Sequence, residues 1–336
     1  MTAPRFRGAL IGLGMIGRHH ARLLQASDRV DFAGAVDPTG DRFGAVRDPE
    51  RVFATAPDLL AAGPVDFAIV AVPTEFHLAA VRELAAAGVS VLVEKPLAAT
   101  SDEARELIAV CERYGVKGAV GHVERFNPAL YELRRRAQEG QVGEIFLIAT
   151  ERIGPFPDRI RDVGVVKDLA THDLDLVQWL GGPVRSVAAQ TQHRSGREHE
   201  DLVLIQGEVE SGPSFSSVVD WLTPTKVRRT RILGEHGMLM ADSLATELRF
   251  YENARVAIEW DATQQFKGVS EGDMTRYALA HREPLAAELD AFCDLLAGEE
   301  SPIVSLEEGL RTVITAEAVL ESAATRQVVT PAGLAR

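Results

Sequence analysis

The sequence is poor in several features that would announce a function at once. Its 336 residues include only two cysteines. Cys111 and Cys293 lie far apart in helix-like segments without metal-ligand spacing. A disulfide framework is excluded, no metal is expected, and both thiols read as small buried hydrophobes in a reduced, cytoplasmic setting, a redox pair being the alternative. There is no basic excess: 36 Lys and Arg stand against 49 Asp and Glu, a net charge of −13. That balance excludes nucleic acid as a partner, since phosphate binding rests on basic side chains, but it leaves room for a local basic pocket such as Arg152, Arg159 and Arg161. No long apolar run occurs. The first apolar stretch, Gly8–Leu13, is too short for a membrane span or a signal core, so no membrane partner is expected. Internal repeats and low-complexity linkers are also missing.

What remains is an ordinary globular composition, 46% hydrophobic and 25% charged, in a chain too long for one core. The first part alternates strand and helix patterns. Phe6–Leu13, Asp31–Val36, Phe67–Val72, Val89–Val93 and Val116–Gly121 read as strands. Met15–Gln25, Glu75–Ala87 and Asp102–Tyr114 read as helices, the last capped by Thr100 or Ser101 and stopped by Gly115. Nearly unbroken apolar runs suit strands buried on both faces of a parallel sheet. After residue 123 the rhythm changes. A helix Asn127–Glu139 is followed by strand patterns at Glu144–Arg152, Val184–Gln192, Asp201–Glu208, Phe215–Trp221, Arg229–Leu233, Gly237–Met240, Glu247–Tyr251 and Arg255–Trp260. A helix near Lys167–Leu180 interrupts them, and the helices Pro284–Leu296 and Leu306–Ala323 close the chain. The expected fold is α/β: a doubly wound parallel sheet over residues 1–123, then an α/β domain with a large, mostly antiparallel open sheet over 124–336.

Gly12-Leu13-Gly14-Met15-Ile16-Gly17 fits the pattern G-x-G-x-x-G between the first strand and first helix. Gly12 permits the tight turn, Gly14 lets the backbone approach a pyrophosphate, and Gly17 lets helix and strand pack closely. The helix N-terminus adds free N–H groups and a positive dipole end. Asp37, at the end of the second strand, stands where a carboxylate bonds the adenosine ribose and repels a 2′-phosphate. An Asp-Pro turn opener is the plainer reading of Asp37, and Arg42 and Arg47 lie nearby. Strand, glycines, helix and acid together indicate a Rossmann domain binding NAD.

Further motifs resemble a known family. Val72-Pro73-Thr74 with His77, Glu94-Lys95-Pro96, Asp168-x-x-x-His172 followed by Asp175, and the run from Glu283-Pro284-Leu285 to Glu288-Leu289 are similar to the Gfo/Idh/MocA oxidoreductases over nearly the whole chain. Gly121-His122-Val123-Glu124-Arg125-Phe126-Asn127-Pro128, Arg152-x-Gly154-Pro155-Phe156-Pro157 and Asp162-Val163-Gly164-Val165-Val166 resemble a subgroup of sugar and UDP-N-acetylglucosamine 3-dehydrogenases and of enzymes of aminosugar and aminoglycoside assembly. The resemblance implies an N-terminal Rossmann domain, with Val72, Pro73, Thr74, His77 and Glu94 joining Met15, Ile16 and the glycines around NAD. It also implies a second domain for substrate binding and for assembly into dimers or tetramers. Lys167 stands where many members carry a small apolar residue.

The side-chain chemistry agrees. Oxidising an alcohol needs a base of near-neutral pKa, which histidine supplies. Asp168 and His172 are four apart and would share one face of a helix, so the carboxylate can orient the imidazole. Lys95, at the carboxyl end of a parallel strand, can polarise the substrate oxygen or relay its proton. Taken singly, each has a plainer reading: Lys95 as a surface charge, Asp168 as a helix cap, His172 as a satisfied core histidine. Together beside a nucleotide fold they point to catalysis. His122, Arg125, Asn127, Arg152 and Arg159 are substrate-binding candidates, and His19 and His20 read as structural. The expected activity is oxidation of a secondary hydroxyl, at C3, of a sugar, aminosugar or nucleotide sugar. A cyclitol dehydrogenase or keto-sugar reductase of the same fold and a non-catalytic NAD-binding regulator are the alternatives.

Overall fold

The computed structural model describes residues 4–157, 163–254 and 271–332. The chain forms two units. One runs from the N-terminus through Phe126 and takes in Glu283–Glu317. The other comprises Asn127–Arg282 and Ala318–Pro331. The expectation of one boundary after residue 123 differs from this in a specific way: the chain returns to the first unit at Glu283. The return has a physical reason in the helix Pro284–Ala297, whose Leu285, Leu289 and Phe292 sit in the core of the first unit.

In the first unit, strands β1 (Phe6–Ile11), β2 (Val30–Val36), β3 (Val52–Phe53), β4 (Phe67–Val70), β5 (Ser90–Glu94) and β6 (Gly118–Gly121) pair in the order β3-β2-β1-β4-β5-β6. All of these pairings are parallel. The short strand Val304–Ser305 adds antiparallel to β6. Every residue of β4 is fully buried, as a central strand covered on both faces requires. Helices α1 (Gly17–Leu24), α2 (Ala56–Ala62), α3 (His77–Ala86) and α4 (Ser101–Tyr114) supply those covers. One core layer packs Val81, Leu84, Leu107 and Val110 on the sheet, and the other packs Ala21, Leu24 and Phe292. Thr100 caps α4 by accepting from the Glu103 N–H at 3.2 Å, and Gly115 ends it in the left-handed region. Strand order reverses between β1 and β4, so the carboxyl edge at β1, β4 and β5 is the switch point where such sheets bind ligands. The short β3, α2 and Val304–Ser305 had no periodicity long enough to read.

The second unit holds strands β7 (Ile145–Pro155), β8 (Val184–Gln192), β9 (Leu202–Val209), β10 (Ser214–Asp220), β11 (Leu222–Gly234), β12 (Gly237–Asp242), β13 (Glu247–Glu252) and β14 (Met274–Tyr277), with helices α5 (Pro128–Gln138) and α6 (Thr171–Gly181). The sheet order is β14-β13-β12-β11-β7-β10-β9-β8. β7 and β10 pair in parallel, and the other described pairings are antiparallel. Ala129, Leu130 and Leu133 of α5 and Leu176 of α6 bury one face of the sheet against Ile232, Leu239, Leu248 and Phe250. The expected strand Arg255–Trp260 lies outside the described residues.

Candidate active site

β1 delivers the glycine turn at the carboxyl edge of the parallel sheet. Gly12 has φ 102°, and a Cβ there would lie 2.6 Å from the Ala71 carbonyl oxygen, so only glycine fits. A Cβ on Gly17 would lie 2.0 Å from the Gly12 carbonyl oxygen, whereas one on Gly14 would meet nothing within 4 Å. Gly12 and Gly17 thus serve the fold of the turn, and Gly14 leaves its outer side open. Met15 and Ile16 are exposed at the tip, and no side chain caps α1. The Arg18 and His19 N–H groups already donate to the Gly14 and Ile16 carbonyls at 3.1 and 2.9 Å, so the turn meets an anion through its exposed Met15–Ile16 tip and the positive end of the α1 dipole. This cradle fits a dinucleotide pyrophosphate.

Asp37 follows β2 and faces the same turn. One carboxylate oxygen accepts from the Leu13 N–H at 3.0 Å, and the other accepts from the Thr39 N–H and hydroxyl at 2.8 and 2.6 Å. Burial alone would raise its pKa, but these bonds and the nearby Arg42 charge hold it below the usual carboxylate value. Asp37 is therefore anionic at neutral pH and held beside the turn.

At the end of β4, Val72, Pro73 and Thr74 lead into α3, whose first residue is His77. The His77 ring is buried, with Nε2 3.1 Å from the Val72 carbonyl oxygen and Nδ1 3.2 Å from that of Leu97. Burial lowers its pKa, and the two backbone carbonyls work against that by favouring the protonated ring. The ring ties the loop after β4 to the loop after β5, the loop that carries Lys95. His77 is thus packed behind the edge rather than on it.

Glu94 ends β5. Its Oε1 pairs with His20 Nε2 at 2.7 Å, and its Oε2 accepts from the Lys95 N–H at 3.2 Å. Burial pushes its pKa up, but the His20 hydrogen bond and charge, with the Lys95 charge, bring it below the ordinary value. Sequence reading placed His20 as structural and did not find its link to Glu94, because a contact between residues 74 positions apart leaves no local signal. It also missed the chemistry of Glu288. That carboxyl is fully buried, with neither oxygen hydrogen-bonded among the described residues. Burial, then repulsion from Glu94, raises its pKa well above the usual value, so it is held neutral. A signal was available: Glu288 shares the apolar face of its helix with Leu285 and Phe292.

His122 and Arg125 also belong to the first unit and are buried. Arg125 Nη1 donates to Glu308 Oε1 at 2.7 Å, which ties the end of β6 to the closing helix. Asn127 opens the second unit. Its Oδ1 accepts from the Ala129 N–H at 3.0 Å and its Nδ2 donates to the Ser243 carbonyl at 3.0 Å, so both ends of the amide hold local structure.

On β7 of the second unit, Arg152 Nε donates to Asp173 Oδ2 at 2.7 Å, a pair with both members buried. This bond fixes the start of α6, where His172 stands half-buried one residue before Asp173. Arg159 lies outside the described residues. Asp168 differs from expectation. The helix is continuous with α6, but Val166–Ala170 forms a π turn, so Asp168 and His172 are not related by plain α geometry. The buried Thr171 hydroxyl lies 3.2 and 3.4 Å from the Asp168 and Lys167 carbonyls. Among the described residues, no group of three or more His, Cys, Asp or Glu could hold a metal ion, and no helix is long and apolar enough to cross a membrane.

Comparison with known proteins agrees with both units. Residues 6–122 match the Gfo/Idh/MocA oxidoreductase family, NAD-binding Rossmann fold, and residues 130–240 match the Gfo/Idh/MocA C-terminal domain. D-apiose dehydrogenase of Paraburkholderia graminis is 31% identical over 85% of this chain and 75% of its own length. UDP-N-acetylglucosamine 3-dehydrogenase of Acidithiobacillus ferrooxidans is 29% identical over 92% of this chain and 95% of its own. The solved structure of that enzyme has a TM-score of 0.83 at 26% identity, covering 96% of this chain and 98% of that one. The WlbA dehydrogenase from Bordetella pertussis, solved with NADH and UDP-GlcNAcA, has a TM-score of 0.76 at 25% identity, covering 97% of this chain and 98% of that one. With the glycine cradle, the Glu94-Lys95-Pro96 turn and matches across both units, the chain belongs to the Gfo/Idh/MocA family of NAD-binding oxidoreductases.

Proposed function

We propose that the protein is an NAD-dependent dehydrogenase that oxidises a secondary hydroxyl, at C3, of a sugar, aminosugar or nucleotide sugar to the ketone. One observation carries this reading: Lys95 leaves β5 at the same carboxyl edge where β1 delivers the open turn at Gly14. A cation there faces the place where a dinucleotide-binding sheet holds its reactants. NAD, when bound, supplies the hydride acceptor. The Lys95 ammonium stabilises negative charge developing on the substrate oxygen. His172 takes the hydroxyl proton, and Asp168 orients the imidazole and stabilises its protonated form. Gly12, Gly14 and Gly17 with the N-terminus of α1 hold the pyrophosphate, and Asp37 holds the ribose. His77 and the Arg152–Asp173 pair hold the loops and helix that carry these groups.

The nucleotide-aminosugar class draws support from the length over which the chain matches the UDP-N-acetylglucosamine 3-dehydrogenase, and from the WlbA likeness. The test is formation of reduced nicotinamide, followed by absorbance, across UDP-hexosamines, pseudodisaccharides and inositols. Turnover of a UDP-hexosamine with a 3-keto product is expected. Turnover of an inositol alone would move the assignment to the cyclitols. NAD binding without turnover of any of them would favour a regulatory role.

We also infer that the protein assembles through the outer face of the eight-stranded sheet. Opposite the α5–α6 side, Leu204, Val218 and Leu233 are 42%, 38% and 39% exposed, with Leu147 and Met238 beside them in register. On the same face these apolar residues alternate with Glu151, Arg229 and Arg231, and exposed apolar side chains within a charged surround suit a second copy of the chain.

A further inference from the structure

We propose that Glu200 is a positioning residue for the Asp168–His172 pair, its buried carboxylate clamping the entry to the π turn on which Asp168 stands. The inference rests on the reading of Asp168 and His172 as the acid–base pair. Glu200 lies in the connection between β8 and β9 and is 8% exposed. Its Oε1 accepts from the Val166 N–H at 3.0 Å, and its main-chain carbonyl accepts from the Val165 N–H at 3.0 Å. A Cβ on Gly164 would lie 2.0–2.1 Å from all three atoms of the Glu200 carboxyl group. Gly164 is therefore glycine so that this carboxylate can reach the chain. The Asp168 N–H donates to the Gly164 carbonyl at 3.2 Å, so the clamped residues bear directly on Asp168.

The same connection grips the segment a second time. Arg197 Nη2 donates to the Val163 carbonyl at 3.0 Å, and its guanidinium lies over the Phe156 and Trp221 rings at 4.5 and 5.2 Å from their centroids. The connection is itself stiffened by Asp201, whose Oδ2 accepts from the Arg194 and Ser195 N–H groups at 2.7 and 2.6 Å. Asp168 and His172 thus depend on different supports. His172 is fixed through its neighbour Asp173 and Arg152 of β7, whereas Asp168 is fixed from upstream through Glu200. The π turn lies between them. A π bulge carries one residue more than the α register, so relaxation to α geometry would turn the upstream segment by about 100° relative to α6. Holding the entry at Val165 and Val166 opposes that relaxation. A carboxylate at the first turn of a helical segment is also favoured by the helix dipole.

The test uses Glu200→Ala, Glu200→Gln, Gly164→Ala and the Gly164→Ala/Glu200→Ala double variant of the full-length protein. UDP-N-acetylglucosamine with NAD serves for rates, and NMR titration of His172 in the NAD-bound protein serves as a readout that needs no substrate. Glu200→Ala and Gly164→Ala should each lower kcat by about 10- to 100-fold, the scale of a misplaced catalytic group, with NAD affinity unchanged. Both should shift the His172 titration. Glu200→Gln keeps an oxygen that accepts from Val166 and should stay within about fivefold of wild type. The double variant should be no worse than Glu200→Ala, because the methyl added at position 164 then meets no carboxylate. Wild-type kcat and an unchanged His172 titration in folded Glu200→Ala would overturn the proposal. So would a Glu200→Gln protein as impaired as Glu200→Ala. If His172→Ala keeps full activity while Glu200→Ala still shifts the His172 titration, the acid–base reading fails and the clamp stands.

Discussion

Alanine placed separately at Gly14 and Gly17 should divide cofactor approach from folding. At Gly17 the new methyl carbon would start 2.0 Å from the Gly12 carbonyl oxygen, well inside contact, and the backbone must move to relieve it. Overpacking of that kind destabilises by about 1–3 kcal/mol. With about 2–4 °C of Tm lost per kcal/mol in a unit of this size, the expected fall is roughly 2–12 °C. At Gly14 nothing lies within 4 Å, and the residue does not have a positive φ. Apo-protein stability should therefore stay within about 0.5 kcal/mol of wild type. The methyl instead occupies the open side on which the proposed binding mode brings the pyrophosphate closest to the backbone. Loss of one charge-assisted hydrogen bond there is worth about 1.5–3 kcal/mol, or roughly 10- to 150-fold in Kd. Thermal denaturation without cofactor and calorimetric titration with NAD read the two effects independently. A Gly14→Ala protein that melts as low as Gly17→Ala yet binds NAD normally would refute this division of roles.

Other perturbations test neighbouring parts of the site. Wild-type protein should bind NAD more tightly than NADP by calorimetry, and Asp37→Ala should weaken NAD by about tenfold or more while leaving NADP no weaker, since the lost group is the anion proposed to bind the ribose; equal affinity for both cofactors in wild type would contradict this. Glu288→Gln should raise stability increasingly as pH climbs above about 4.3, the unfolded glutamate pKa, because a carboxyl held neutral when folded makes wild-type stability fall by about 1.4 kcal/mol per pH unit until its raised folded pKa is reached; parallel Tm–pH curves for the two proteins would contradict it. Light scattering at micromolar concentration should give a dimer or tetramer for wild type and a smaller species for Leu233→Glu, and a monomeric wild type would refute the outer-face interface.

The strand–turn–helix with its glycines was legible because its geometry is local. Gly12, Gly14, Gly17 and Asp37 lie on one strand–turn–helix–strand stretch, where fixed spacing carries geometric meaning. The long buried strands were equally plain, since four consecutive apolar residues such as Phe67–Val70 admit few other readings. What escaped was set by contacts remote in sequence. The pairing of His20 with Glu94, the return of Pro284–Ala297 to the first unit and the Arg152–Asp173 bond all join distant segments. The π turn escaped because spacing alone cannot separate π from α register at Asp168 and His172. The packing of the Glu200 carboxyl on Gly164 beside that turn becomes visible only once both are placed.

Comparison of Lys95→Ala and His172→Ala with wild type in single-turnover formation of reduced nicotinamide, on the best substrate of the panel, tests the central claim most directly. Each variant should be slower by about a hundredfold or more, with NAD affinity nearly unchanged, because the proposed cofactor contacts are those of Gly12–Gly17 and Asp37. The double variant should be less impaired than the product of the two single losses, since groups acting as a unit give non-additive effects. Near-wild-type rates for both single variants would contradict the account.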